Sequence, residues 1–278
     1  MKKMAASGKS DSVRRDDVVA VIIDALRPLD SARAMWEQGA VSFGRIDEYS
    51  DIDLCIIARD DRVENVFGAI ERTLEKRFGI SDRFRLPEPT WHGHSQCFYW
   101  LKGASKFLFV DLAIEKLSAK NRFLEYSIHG PPVVRMDKDG IISDDTLPAE
   151  ETAKKLEVRL ESLKTTFRLF QSEVEKELAR GNDLEALAFY NGMTLRPLVE
   201  ALRIKHCPQR AQFHTRYVYY DLPPAVWKKL ERLMFVGAAK DLGKLRAEAE
   251  RWFWETVGSI DLHDVRKKLK SAAANPGK

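Results

Sequence analysis

The run Ser50-Asp-Ile-Asp-Leu-Cys-Ile-Ile57 restricts the possible folds more than any other stretch of this 278-residue chain. Its apolar, β-rich content predicts a strand over Ile52 to Ala58. Alternate side chains of a strand share a face. Asp51 and Asp53 therefore point one way, roughly 7 Å apart at the backbone, while Ile52, Leu54 and Ile56 point the other way into a core. A second strand-like run, Lys106 to Ile114, holds Phe107-Leu-Phe-Val-Asp-Leu112 and delivers a single acid, Asp111, near its end. If the two strands are neighbours, Asp111 joins the other two acids on one surface.

Three carboxylates packed together repel, and some would be driven to protonate unless a cation sits among them. Mg²⁺ suits such a place, because it binds few carboxylates and takes its other ligands from phosphates and water. Two such ions about 3.5–4 Å apart would activate an attacking hydroxyl and steady a leaving pyrophosphate. An isolated D-x-D is commonly no more than a solvated strand end, so the reading depends on its surroundings.

Upstream, helical spacing runs from Asp16 through Val18, Val19, Ile22, Ile23 and Leu26 until Pro28. Ala32 to Trp36 reads as a strand leading into a loop from Gly39 to Gly44. Downstream, Asp61 to Phe78 is an amphipathic helix, Gln96 to Leu101 and Lys106 to Ile114 form a hairpin around residues 102–105, and Val133 to Met136 is a short strand. Helical periodicity then dominates. One helix covers Ala149 to Arg180 and stops at Gly181, with Leu156, Leu160, Leu163, Phe167, Phe170, Val174 and Leu178 as its buried stripe. Further helices are expected over Leu184 to Lys205 with Asp183 as cap, after Asp221, and over Asp241 to Trp254. The fold class is therefore α+β: a small mixed sheet with flanking helices in residues 1–148, then a helical domain in 149–278. Disorder is expected in 1–14 and 271–278.

A formal charge of +4, with acids and bases interspersed, suits anionic ligands but is far from the footprint of a dedicated nucleic-acid binder. The three cysteines lack a CxxC pair, which argues against a disulfide framework or a structural zinc site. The start has no apolar core and reads as no signal peptide, and no apolar run is long enough for a membrane span. A soluble, reduced, cytoplasmic protein is expected.

The stretch Gly39-Ala-Val-Ser-Phe-Gly-Arg-Ile-Asp-Glu-Tyr-Ser-Asp-Ile-Asp-Leu54, followed by Asp111 on a later strand, resembles the signature of the nucleotidyltransferase superfamily that includes DNA polymerase beta and the aminoglycoside nucleotidyltransferases. The likeness covers roughly residues 30–115. A following helical domain is similar to that of the aminoglycoside-modifying members. The resemblance implies that Asp51 and Asp53 bind the metal carrying the triphosphate, and that Asp111 completes a second metal site and helps deprotonate the acceptor hydroxyl. It implies a nucleotide-binding segment of Gly39, Ala40, Ser42, Gly44 and Ser50, with the backbone at Gly39 approaching the β and γ phosphates. Ser50 would stand beside the phosphates or brace the strand. One departure stands out: the family serine after the first glycine is Ala40 here, which removes a hydrogen bond worth about 1.5–3 kcal/mol to a charged group, and Ser42 is its candidate substitute.

The expected activity is transfer of a nucleoside monophosphate, AMP by default, from a nucleoside triphosphate to a hydroxyl of a small-molecule acceptor, aminoglycoside-like as the first guess. Mg²⁺, as two ions, and ATP are the expected cofactor and donor. Nucleic acid and membrane are not expected partners, and the chain would act as a monomer or homodimer. The rival readings are transfer to a protein or RNA acceptor, or an inactive, antitoxin-like nucleotide- or partner-binding member. His92 and His94 form an H-x-H motif but lack a third ligand, which makes a solvated loop the simpler reading. Arg45, Arg196, Arg203, Lys205, Arg210 and Arg216 are candidate phosphate contacts that are otherwise expected on helix surfaces. Glu150 and Glu151 are candidates for a general base, against a plain role at a helix N-terminus.

Overall fold

A computed structural model describes residues 13–145 and 147–275, and these form two compact units that divide between those ranges. The expected disorder of 1–14 and 271–278 lies largely outside the described residues. Within them, Val13 packs against the core, and residues 271–274 are a correction: they continue the last helix, whose buried Val265 and Leu269 anchor it.

The first unit is built on six strands. In chain order, α1 (Arg15–Leu26) leads to β1 (Ala32–Glu37) and β2 (Ile52–Ala58). Then come α2 (Val63–Arg77), β3 (Ile80–Arg85), β4 (Ser95–Leu101), β5 (Phe109–Lys116), the single turn α3 (Tyr126–His129) and β6 (Val133–Asp137). The sheet order is β3-β4-β5-β2-β1-β6, with β2 and β5 parallel and every other neighbouring pair antiparallel. Parallel neighbours need a crossover, and the segment from α2 through β4 supplies it.

Alternation gives the sheet two unlike faces. Ile52, Leu54, Ile56, Val110, Leu112 and Ile114 join Val18, Ile22 and Leu26 of α1 and Val66, Phe67, Ile70 and Leu74 of α2 in the main core. Each fully buried side chain of this kind contributes about 1.5–3 kcal/mol. The opposite face carries a smaller cluster of Ala34, Trp36, Cys55, Ile57 and Ala113, covered by Leu124 and flanked by Phe123, Tyr126, Ile141 and Ile142. A sheet with one large and one small apolar layer leaves the second face free for polar work. Asp53 and Asp111 belong to that face.

The second unit is helical: α4 (Ala149–Arg180), α5 (Asp183–Phe189), a π-helical segment (Tyr190–Leu195), α6 (Arg196–His206), α7 (Val218–Asp221), α8 (Pro224–Met234), α9 (Ala239–Gly258) and α10 (Leu262–Ala274). Leu160, Leu163, Phe167 and Val174 of α4 are buried as expected, and Phe167 stacks on Phe253 of α9 with centroids 3.7 Å apart. Phe170 instead lies exposed. Its expected place is taken by Gln171, whose carboxamide donates to the Met193 carbonyl (3.0 Å) and accepts from Thr194 (2.8 Å). A π segment breaks the regular i→i−4 ladder, and this glutamine satisfies part of the backbone it leaves. The cap at the start of α5 also differs, since Asp183 lies inside the helix and the cap residue is Asn182. No helix among the described residues is long and apolar enough to cross a membrane.

Candidate active site

Register brings two of the three acids together. Asp53 of β2 is paired with Asp111 of β5, Asp111 with Phe98 of β4, and Phe98 with Phe84 of β3. Paired residues share a face and neighbouring strands are about 4.8 Å apart, so two phenylalanines and two aspartates stand in one row across four strands. Asp51 lies one residue before β2. Its backbone carbonyl accepts a hydrogen bond from Arg15, which also pairs with the buried carboxylate of Glu37 at 2.6 Å. Arg135 holds the other oxygen of Glu37 at 2.5 Å. The start of β2 is thus pinned to α1 through Arg15 and the buried Glu37, with the exposed Arg135 as second partner of that carboxylate.

Gly39 explains how Asp53 is seated. Its φ is +68°, in the left-handed region that favours glycine. A Cβ there would lie 1.7 Å from Asp53 Oδ2. The Asp53 carboxylate therefore occupies the space that any side chain at position 39 would fill. The amide of Gln38 donates to the Asp53 carbonyl (3.1 Å), which keeps the two segments in contact.

The loop after Gly39 folds into a short 3₁₀ turn over Val41–Phe43, closed by Gly44 in the left-handed conformation. The Ala40 carbonyl accepts from the amides of Phe43 and Arg45 at 3.3 and 2.9 Å. Ser42 is buried, and its hydroxyl has no hydrogen-bond partner among the described residues. Ser50 braces the turn into β2: its Oγ donates to Asp47 Oδ1 (2.8 Å) and accepts from the Asp47 amide (3.0 Å).

The histidines are a correction to the solvated loop expected for them. His92 and His94 are buried, packed against each other and against Phe123 with centroids 5.1–5.6 Å apart. Burial, followed by the nearby charges of His92 and Arg122, holds the His94 imidazole down at about 4. Neither of its ring nitrogens has a hydrogen-bond partner among the described residues. His92 reaches the acids through Gln96 of β4, whose side-chain amide donates to Asp111 Oδ1 at 2.6 Å. Gln96 carries no sequence signal for this role, because a polar residue within a strand reads as solvent-facing.

Farther along β5, Glu115 is fully buried on the same face as Asp111. Burial pushes its carboxyl up to about 8, against the Phe123 amide and the Arg122 charge, which lower it. Cys55, between Asp53 and Ile57, is held well above the ordinary thiol value by burial and then by the charges of Glu115, Asp53 and Asp111. It is an inert, protonated thiol.

Six of the other candidates make contacts within the helical unit. Arg203 is fully buried and pairs with Asp221 at 2.9 Å, and Arg210 pairs with the other oxygen of Asp221 at 2.7 Å. Lys205 donates to Ser259 (2.9 Å), and Arg216 lies over the ring of Tyr217. Glu150 is paired with Lys270 (2.6 Å) and Glu151 with Lys155 (2.6 Å), both within the helical unit.

A metal would find an all-oxygen donor set here, suited to a hard cation. Among the described residues, however, no three His, Cys, Asp or Glu side chains converge closely enough to hold a metal by themselves. A cation at this place would draw on the adjacent Asp53 and Asp111 and on oxygens of a ligand.

No protein-family model matches the chain, and no curated protein matches it. Among solved structures it is similar to an aminoglycoside 6-adenyltransferase from Bacillus subtilis, at 14% identity over 95% of this chain and 100% of that one, with a TM-score of 0.34. It is also similar to a STING-associated CdnE c-di-GMP synthase from Capnocytophaga granulosa, at 16% identity over 92% of this chain and 80% of that one, with a TM-score of 0.31. At such scores the case for function rests on the residues themselves.

Proposed function

We propose that this chain is a nucleotidyltransferase that moves a nucleoside monophosphate, AMP by default, from a nucleoside triphosphate to a hydroxyl of a small acceptor. The observation that carries the reading is the paired Asp53 and Asp111 on parallel neighbouring strands, with the Asp53 carboxylate seated on Gly39. The Gly39–Ser50–Asp51–Asp53 spacing of the superfamily supports the same reading.

In this proposal Asp53 and Asp111 would hold Mg²⁺ together with the triphosphate, and Asp51, one residue before β2, is the third acid of the superfamily spacing. Bound there, Mg²⁺ would neutralise phosphate charge and steady the leaving pyrophosphate. The Gly39–Gly44 loop would approach the phosphates, and Ser42, whose buried hydroxyl has no hydrogen-bond partner among the described residues, is the candidate to replace the hydrogen bond that Ala40 lacks. Asp111 takes the proton of the acceptor hydroxyl as its oxygen bonds to the α-phosphorus and the bond to pyrophosphate breaks. The acceptor approaches from the Phe98 side of Asp111. Phe84, Phe98, Trp100 and Phe109 present rings there, with Trp100 and Phe109 stacked at 5.5 Å. These rings suit the apolar face of a sugar or another flat ring.

The test is transfer of label from α-labelled triphosphate to a panel of hydroxyl-rich acceptors. Asp53→Asn and Asp111→Asn should each lower turnover on the order of a thousandfold, the equivalent of several kcal/mol of transition-state stabilisation. Phe98→Ala should raise the acceptor KM and leave the triphosphate KM unchanged. Label transfer that is indifferent to both aspartates would defeat the proposal. An RNA acceptor would instead be marked by affinity that falls steeply with salt.

A further inference from the structure

A chain of hydrogen bonds ties the carboxylate of Asp111 to a buried histidine, and its direction is fixed link by link. The backbone amide of His94 donates to His92 Nδ1 at 3.1 Å. The hydroxyl of Thr90, 3.4 Å from the same nitrogen, spends its only proton on the His94 carbonyl at 2.5 Å. Nδ1 is therefore an acceptor, and the imidazole proton sits on Nε2. Nε2 donates to Gln96 Oε1 at 3.0 Å, which leaves the Gln96 amide to donate to Asp111 Oδ1 at 2.6 Å. Turning the carboxamide over would set an oxygen against a carboxylate oxygen and an N–H against an N–H. Only one orientation satisfies every link.

We propose that Gln96 and His92 are positioning residues for Asp111, the imidazole fixing the carboxamide and the carboxamide fixing the carboxylate. The proposal rests on the reading of Asp111 as the group that receives the acceptor's proton. A short bond from a neutral N–H to a carboxylate limits the rotation of Asp111. The imidazole is itself held rigidly. It is 8% exposed, lies 5.0 Å from the Trp91 ring and 5.6 Å from the Phe123 ring, and its backbone carbonyl accepts from Asn121 at 3.3 Å. A catalytic carboxylate needs such support, because loss of an outer partner commonly costs 10–100-fold in activity.

The chain can be tested without turnover and then with it, on the full-length protein. Long-range ¹H–¹⁵N correlation at the histidine rings should show His92 as the neutral Nε2–H tautomer, and Asp111→Asn should move the Gln96 side-chain amide resonances. An Nδ1–H tautomer, or Gln96 resonances that ignore Asp111, overturns the proposal. In label transfer, Gln96→Leu and His92→Phe should each lower kcat by about tenfold to a hundredfold and leave the triphosphate KM within twofold. The double variant should fall no further than Gln96→Leu alone, because the two residues act in series. Losses that multiply, or an unchanged kcat in Gln96→Leu, overturn it. Gln96→Glu keeps the side-chain volume and should lose more kcat than Gln96→Leu, which separates positioning from packing. A wild type that transfers no nucleotide while its NMR signature is intact overturns the functional reading, and the positioning role falls with it.

Discussion

Gly39 shows how much one missing side chain decides. In Gly39→Ala a methyl group would have to displace the Asp53 carboxylate, which lies 1.7 Å from the Cβ position. The left-handed backbone adds about 1–2 kcal/mol of strain. The variant should melt a few degrees lower and lose all nucleotide-dependent stabilisation, as differential scanning fluorimetry would show. The glycine itself was legible in the sequence as part of a loop signature. Its contact was not, because Asp53 reaches it only through the pairing of β1 with β2. Glu115 gives a second residue-scale prediction. Its carboxyl stands at about 8 in the folded protein, against 4.5 for the free group. Between these values the folded state keeps a proton that the unfolded chain has released, so this group's contribution to stability is lost as pH rises through the window. His94 acts in the opposite sense. Its depressed value of about 4, against 6.5, means that stability is lost as pH falls between those values. Glu115→Gln removes the first effect and leaves the second. Its melting temperature relative to wild type should therefore rise from about pH 5 to about pH 9. A constant offset would contradict the buried, protonated carboxyl.

At the scale of elements, β2 was readable from its apolar, β-rich content and β5 from its apolar run, although β5 spans Phe109–Lys116 where Lys106 to Ile114 was expected, and α4 was readable to both ends. Their parallel register was not, since nothing local specifies which strands pair. β3 escaped the sequence reading for a different reason: it is a mostly exposed edge strand, Ile80–Arg85, with a charged composition that gives no alternation. The π segment was also hidden, because one inserted residue shifts the helical stripe without any change in composition. In the same unit the long-range pairing of Arg203 and Arg210 with Asp221 fixes the segment between α6 and α7. Asp221→Ala leaves the fully buried Arg203 without its carboxylate, at a cost of about 3–5 kcal/mol. Urea unfolding should show that loss as a lower midpoint with the slope retained. Retained stability would mean that the backbone carbonyls around Arg203 satisfy it alone.

At the scale of the molecule, a nearly balanced chain of 46 basic and 42 acidic residues gives no strong pull toward polyanions. The proposed binding of a nucleoside triphosphate with Mg²⁺ is therefore local, resting on two adjacent carboxylates on one sheet face served by a glycine loop. The direct measurement is a thermal-shift titration of wild type and Asp53→Asn with each of the four nucleoside triphosphates, with and without Mg²⁺. A ligand bound only by the folded state raises apparent stability by mass action, by about 2.7 kcal/mol at a hundredfold excess over Kd. Wild type should show a stabilisation that requires Mg²⁺, favours one triphosphate and disappears in Asp53→Asn. A wild type that no triphosphate stabilises at millimolar concentration, or a shift that survives in Asp53→Asn, would contradict the proposed binding.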